Sequence, residues 1–254
     1  MKEKFLKKIE AMDANVSVVG LGYVGLPLAV EKAKAGFMTT GIDVSQNKVD
    51  RINRGENYIG DVDPAVLKRL VEEKILKATT DFSVIAEMDF VIICVRTPLD
   101  NHQQPDMSFI ESSARAIGEH LTKETLVVLE STTYPGTTEE VLKPILEEKS
   151  GLVCGEDFYL AFSPERVDPG NKNYKTNNTP KVVGGVTVDA TEVATEFYRS
   201  VLASEIYPVS SPAVAEMEKV LENIYRFVNI GLANEMAIIC EKMGIDVWEV
   251  IDAA

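Results

Sequence analysis

Short apolar runs alternate with amphipathic stretches over the first 210 residues, and the two periods set the expected elements. Runs at 16–19, 38–42, 90–95, 126–129, 159–162 and 181–183 predict strands, and a further run at 204–209 can close the sheet. Apolar positions at helical spacing fill 25–35, 64–73, 108–120, 138–148 and 190–201. Residues 1–10 read as a short amphipathic surface helix, and the polar stretch 168–180 as a long loop. Strand and helix patterns in alternation predict an α/β fold, a doubly wound, mostly parallel sheet with helices on both faces. Past residue 210 the pattern changes. Ser211-Pro212 starts a helix with proline at its first position, and Gly244 supplies a stop after Lys242. This helix is far longer than the roughly 11 residues of an average globular helix. Its apolar positions (Ala213, Met217, Ile224, Phe227, Ile230, Ala233, Ala237) fall on more than one face, so a second domain or subunit must bury them. The chain therefore divides into a domain at 1–210 and the start of a helical one at 211–254, with a homodimer expected through the 212–243 helix.

The first strand runs into Gly20-Leu-Gly22-Tyr23-Val24-Gly25-Leu-Pro27, and a helical pattern leaves it. Asp43 follows at the end of the second strand. That order is the recipe for a Rossmann-type dinucleotide site. Gly20 allows a tight turn, Gly22 lets the backbone approach a pyrophosphate, and Gly25 lets the helix pack against the strand. The pyrophosphate rests on the helix N-terminus, where free N–H groups and the dipole favour an anion. Asp43 accepts from the ribose hydroxyls and repels a 2′-phosphate, so NAD is expected rather than NADP. Gly20, Gly22, Tyr23, Val24, Gly25 and Asp43 are thus the first cofactor candidates.

Composition narrows the partners. The 254 residues carry a formal net charge of −14, which leaves no basic patch for nucleic acid. No apolar stretch reaches the roughly 18 residues of a membrane span, and the N-terminus lacks a signal-peptide core. Cys94, Cys154 and Cys240 form no metal-spaced pair, so no metal site is expected and a reducing cytoplasm fits. Cys94 and Cys240 read as packing residues.

Four further segments carry candidate chemistry, three of them at the C-terminal ends of predicted strands, where such sheets bind ligands. Thr97 and Pro98, in Cys94-Val-Arg-Thr-Pro98, shape a loop beside the nucleotide. Ser131, Thr132 and Thr133, in Glu130-Ser-Thr-Thr-Tyr-Pro-Gly-Thr-Thr138, supply more hydroxyls than the helix cap expected from Thr137 or Thr138 requires. In Ser163-Pro-Glu-Arg-Val-Asp-Pro-Gly170, Glu165 can act as acid or base and Arg166 can meet an anionic substrate. On the long helix, Lys219 and Asn223 share a face and can stabilise a developing alkoxide.

Together these motifs resemble the UDP-glucose/GDP-mannose dehydrogenase family over essentially the whole chain. The wording is closest to its UDP-N-acetylglucosamine 6-dehydrogenase branch, with the UDP-N-acetylmannosamine branch next. The resemblance implies oxidation of C6 of a UDP-sugar from alcohol to carboxylate with two NAD+. It implies that Lys219 and Asn223 support oxyanionic intermediates, Glu165 takes part in thioester hydrolysis and Thr133 positions water. It places Ser131 and Thr132 with the cofactor, and Arg166, Val167 and Asp168 with the substrate. It also calls for a nucleophilic cysteine in a glycine-rich segment after the central helix, which none of the three cysteines matches. The chain is therefore expected to be the N-terminal part of such an enzyme and to be inactive alone. The resemblance also implies proline in most relatives where this chain carries Arg96, which bears on the shape of the NAD-side loop. Two other readings compete: a β-hydroxyacid dehydrogenase using Lys219 and Asn223, and a non-catalytic NAD-binding, dimerising module.

Overall fold

A computed structural model describes residues 1–166 and 176–254. Among them, eight strands form one sheet in the order β3-β2-β1-β4-β5-β6-β7-β8. The strands are β1 (Asn15–Val19), β2 (Met38–Ile42), β3 (Leu76–Thr79), β4 (Phe90–Ile93), β5 (Leu126–Leu129), β6 (Tyr159–Phe162), β7 (Lys181–Gly185) and β8 (Ile206–Val209). The helices of the same unit are α1 (Lys2–Glu10), α2 (Gly25–Ala35), α3 (Gln46–Asn53), α4 (Pro64–Glu72), α5 (Ser108–Gly118), α6 (Lys143–Ser150) and α7 (Val188–Val201).

Side chains alternate across the sheet, which gives two cores. Val16, Val18, Phe90, Ile92, Leu126 and Val128 pack on the face covered by α1, α2, α4 and α7. Val19, Val91, Ile93, Val127 and Leu129 pack on the face covered by α5 and α6. Both faces are dry, so each central strand reads as a continuous apolar run. On the first face Phe90 stacks on Phe197 at 4.1 Å, and Phe5 of α1 meets Phe90 edge-on at 5.4 Å. The N-terminal helix is therefore seated by its buried face (Phe5, Ile9).

The structure departs from the expected elements in identifiable places. β3 (Leu-Lys-Ala-Thr) and α3 have only two fully buried positions each, too few to show a period. The expected helix at 138–148 begins as a wide π turn over Thr137–Leu142 and becomes α6 only at Lys143. Pro144 lacks the N–H that would bind the Glu140 carbonyl, so the regular ladder cannot run through. β7 runs antiparallel to β6, with Ala161 opposite Gly185. A parallel return needs a crossover, usually a helix, and the described residues between the two strands form none. β8 is an edge strand containing Pro208, paired to β7 alone.

The chain resolves into two compact units, Met1–Glu216 and Met217–Ala254. Helix α8 (Pro212–Met243) begins in the first and makes up most of the second. In the second unit, α8 ends at Gly244 (φ 70°), with the Ile245 N–H donating to Cys240 O at 2.9 Å. Asp246 caps α9 (Val247–Ala253) through the Trp248 N–H at 2.9 Å. Leu221, Ile224, Phe227 and Ile230 are exposed on α8. No helix among the described residues is long and apolar enough to cross a membrane.

Candidate active site

The strand order reverses between β1 and β4, and the glycine turn sits at that point. Gly20 has φ 94° and donates its N–H to Ile42 O at 2.7 Å; a Cβ there would lie 2.7 Å from Cys94 O. At Gly25 a Cβ would lie 1.8 Å from Gly20 O, so helix and turn touch backbone to backbone. Gly22 differs: a Cβ there would meet nothing within 4 Å. It faces open space of the kind a pyrophosphate needs. No side chain caps α2. Within its first turn Leu26 N–H donates to Gly22 O at 3.0 Å, Leu28 N–H donates to Val24 O at 3.2 Å and Pro27 has no N–H, so an anion would be met by the amides of the glycine turn itself. The turn fits a dinucleotide. Tyr23 is exposed and Val24 half-buried beside it.

Asp43 is buried and already engaged. Its carboxylate accepts from Leu21 N–H (2.9 Å), Ser45 N–H (2.9 Å) and the Lys48 ammonium (2.8 Å). The expected ribose acceptor is thus held rigid by the turn it serves. Tyr58 donates to Leu21 O at 2.7 Å, and burial, then the Asp43 charge, push its phenol pKa up.

The loops after β4 and β5 are tied together at the same edge. Ser131 Oγ donates to Val95 O (2.7 Å), and Thr97 Oγ1 donates to Thr132 O (2.8 Å). Pro98 O accepts the Asp106 N–H at 2.8 Å, and Arg96 lies over the Phe109 ring at 4.3 Å. Thr133 is buried, its hydroxyl donating to Tyr134 O at 3.0 Å. Neither Thr137 nor Thr138 caps the next helix, contrary to expectation. Gly136 takes the cap position with φ 98°, and Glu216 at the start of α8 satisfies the donors instead. Its carboxylate accepts from Gly136 N–H (2.6 Å), Thr138 N–H (2.8 Å) and Thr138 Oγ1 (2.7 Å).

Glu165 follows β6. One oxygen accepts the Arg166 N–H at 2.8 Å, and the other accepts from Lys181 at 3.3 Å. Lys181 also donates to Glu130 (2.7 Å) and Pro164 O (3.3 Å), while the Tyr198 hydroxyl donates to Glu130. Burial pulls the Lys181 pKa down, but the Glu130 and Glu165 carboxylates outweigh it and raise it overall. Arg166 reaches Pro180 O at 3.4 Å. Val167 and Asp168 lie outside the described residues. Lys219 and Asn223 stand one turn apart on α8, in the second unit.

A family model described as the NAD binding domain of the UDP-glucose/GDP-mannose dehydrogenase family matches residues 14–202, and its central-domain model matches 213–254. The chain belongs to that family. The NAD-binding-domain match of this dehydrogenase-family chain spans the glycine turn, and NAD is its cofactor. The chain is 41% identical over 242 residues to UDP-N-acetyl-D-glucosamine 6-dehydrogenase of Pseudomonas aeruginosa, covering 95% of itself and 56% of that protein. It is 41% identical over 248 residues to UDP-N-acetyl-D-mannosamine dehydrogenase of Escherichia coli K12, covering 95% of itself and 58% of that protein. The solved UDP-D-ManNAc dehydrogenase of Pyrococcus horikoshii superposes with a TM-score of 0.89 at 37% identity, over 94% of this chain and 57% of that one. The chain thus spans little more than half the length of these relatives.

Three residues at this family member's site escaped the sequence reading. Lys48 was findable, since it lies five residues after Asp43 on the element that follows. Glu130 and Lys181 were not, because 51 residues separate two groups that meet only across the sheet. Of the cysteines, burial pushes the Cys94 thiol well up and that of half-buried Cys154 up to about 11. Neither is poised as a thiolate.

Proposed function

We propose that the protein serves the NAD-dependent oxidation of C6 of a UDP-N-acetylhexosamine, alcohol to carboxylate, with two NAD+ reduced. The observation that carries this reading is the shared edge. The prepared NAD turn, the Ser131–Thr133 loop and Glu165 all follow strand ends on one side of one sheet. Gly20, Gly22, Tyr23, Val24, Gly25 and Asp43 hold the adenosine and pyrophosphate end of NAD. Thr97, Pro98, Ser131 and Thr132 form the wall nearer the reacting end.

Lys219 and Asn223 stabilise the alkoxide as hydride leaves C6. Glu165 serves the hydrolytic step with Thr133 positioning water. The water oxygen bonds the acyl carbon of a thioester, the C–S bond breaks, and the carboxylate takes the water proton. Arg166, Val167 and Asp168 contact the substrate. UDP-N-acetylglucosamine is the first choice and UDP-N-acetylmannosamine the second, as in the relatives. None of Cys94, Cys154 and Cys240 lies in a glycine-rich segment after the long helix of the kind the resemblance calls for, so residues 1–254 alone bind NAD but stop short of the carboxylate. The protein works in the cytoplasm as a homodimer through α8, with 1–210 as its NAD domain and 211–254 as part of a dimerising one.

NAD binding by calorimetry, and NADH absorbance with each UDP-sugar, test this on the chain and on the longest natural chain that contains it. NAD binding by the first, and two NADH per sugar from the second, are expected. NADH from a small 3-hydroxy acid but from no UDP-sugar would overturn the reading.

A further inference from the structure

Lys181 is an expensive residue where it stands. Its side chain is 5% exposed, that of Glu130 is fully buried, and that of Glu165 is 12% exposed. A buried ion pair seldom improves on a well-packed apolar pair of the same volume, so fold stability alone gives no reason to keep one. The ammonium has three donors, and the structure gives each an acceptor: Glu130, Pro164 O and Glu165. Glu130 is fixed in turn by the Tyr198 hydroxyl. Ser163 Oγ donates to Val182 O at 2.8 Å, so the backbone leading to Glu165 is pinned to the same strand that carries Lys181.

We propose that Lys181 is a positioning residue for Glu165: anchored on Glu130, its ammonium fixes the Glu165 carboxylate in place and in its ionised form. The proposal rests on the hydrolytic role given to Glu165 above. A carboxylate that must take a proton from water has to be anionic before attack, and a cation at 3.3 Å favours that form.

Other ionisable groups face Lys181 from several elements, and Arg166 follows Glu165 directly, with its guanidinium reaching Pro180 O at 3.4 Å. Glu130 comes from β5, Tyr198 from α7, Cys94 from the end of β4 and Lys32 from α2. Lys32 is the one further cation among these. Among the described residues its ammonium has no hydrogen-bond partner, and burial brings its pKa down to about 7. It loses its proton near neutrality, whereas Lys181 keeps its own.

The test follows the Glu165 carboxyl carbon by NMR through a pH titration, assigned by its disappearance in Glu165→Gln. It compares the wild type with Lys181→Met and Lys181→Arg. In Lys181→Met the midpoint should rise by roughly one unit or more, and Lys181→Arg should restore it. Lys181→Met strands Glu130 in the core, so Glu130→Gln/Lys181→Met is measured beside it as a variant without that buried charge. In the turnover assay, the acid limb of the hydrolytic step should move by the same amount while NAD affinity stays as in the wild type. A folded variant that loses stability but leaves the Glu165 midpoint unmoved would reduce Lys181 to a packing role and overturn the proposal. If the wild type oxidises no UDP-sugar, the functional reading fails, and the carboxyl titration still decides whether Lys181 governs Glu165.

Discussion

Adding one methyl group does different things at the glycines of the NAD turn. At Gly25 it would overlap Gly20 O at 1.8 Å, and the strand–helix contact must break. At Gly22 it meets no protein atom within 4 Å, so Gly22→Ala should change stability by no more than about 0.5 kcal/mol. It fills the space for the pyrophosphate, however, and NAD affinity should fall roughly tenfold or more, about 1.4 kcal/mol. Calorimetry with an unchanged dissociation constant would remove Gly22 from the cofactor site. Lys32 makes the second prediction at this scale. Its pKa drops on folding from 10.5 to about 7, because burial outweighs the Glu130 charge; the Phe197 and Tyr198 rings lie 4.5 and 4.3 Å away. The folded chain therefore binds fewer protons than the unfolded one, and stability rises with pH through this window. Denaturation at pH 7 to 9 should show a Lys32 slope approaching about 1.4 kcal/mol per unit, absent in Lys32→Met. Gly20 and Gly25 were legible because each answers a backbone demand within the turn. Lys32 was not, since a helix position gives no sign of which rings will enclose it.

At the scale of elements, the start of α8 is held by Glu216 rather than by a local cap. Its carboxylate collects Gly136 N–H, Thr138 N–H and Thr138 Oγ1 from 78 to 80 residues away. Glu216→Ala leaves these donors buried and unpaired, which should cost about 3 kcal/mol or more in urea unfolding. Glu216→Gln, keeping one acceptor, should cost less; equal losses would assign the effect to packing. The sequence pattern assigns the capping in this loop to Thr137 or Thr138, because capping rules look only along the chain. The same limit hid the reversal of β7. Direction depends on how the chain returns, and the polarity of 168–180 says nothing about that. Central strands were legible because burial on both faces makes them uniformly apolar. β3 and α3, with two buried positions each, left no period to read.

At the scale of the molecule, the Met217–Ala254 unit exposes a run of apolar side chains on one helix, with Phe227 at 80% exposure. Such a face is a candidate interface, and the proposed dimer buries it. Light scattering should return twice the 27.9 kDa chain mass, and Phe227→Asp should return the monomer with NAD affinity retained. A monomeric wild type at high concentration would sink the dimer. Strand-to-strand association is disfavoured, and the reason lies at the rim of the sheet. β8 ends the sheet with Ile206-Tyr-Pro-Val209, and Pro208 has no N–H to offer a newcomer. β3 ends the other side after only four residues and carries Lys77. Both rims are blunted in the ways that keep soluble proteins from zipping together strand by strand. The molecule should therefore resist growing into fibres, even at concentrations where its helices find each other.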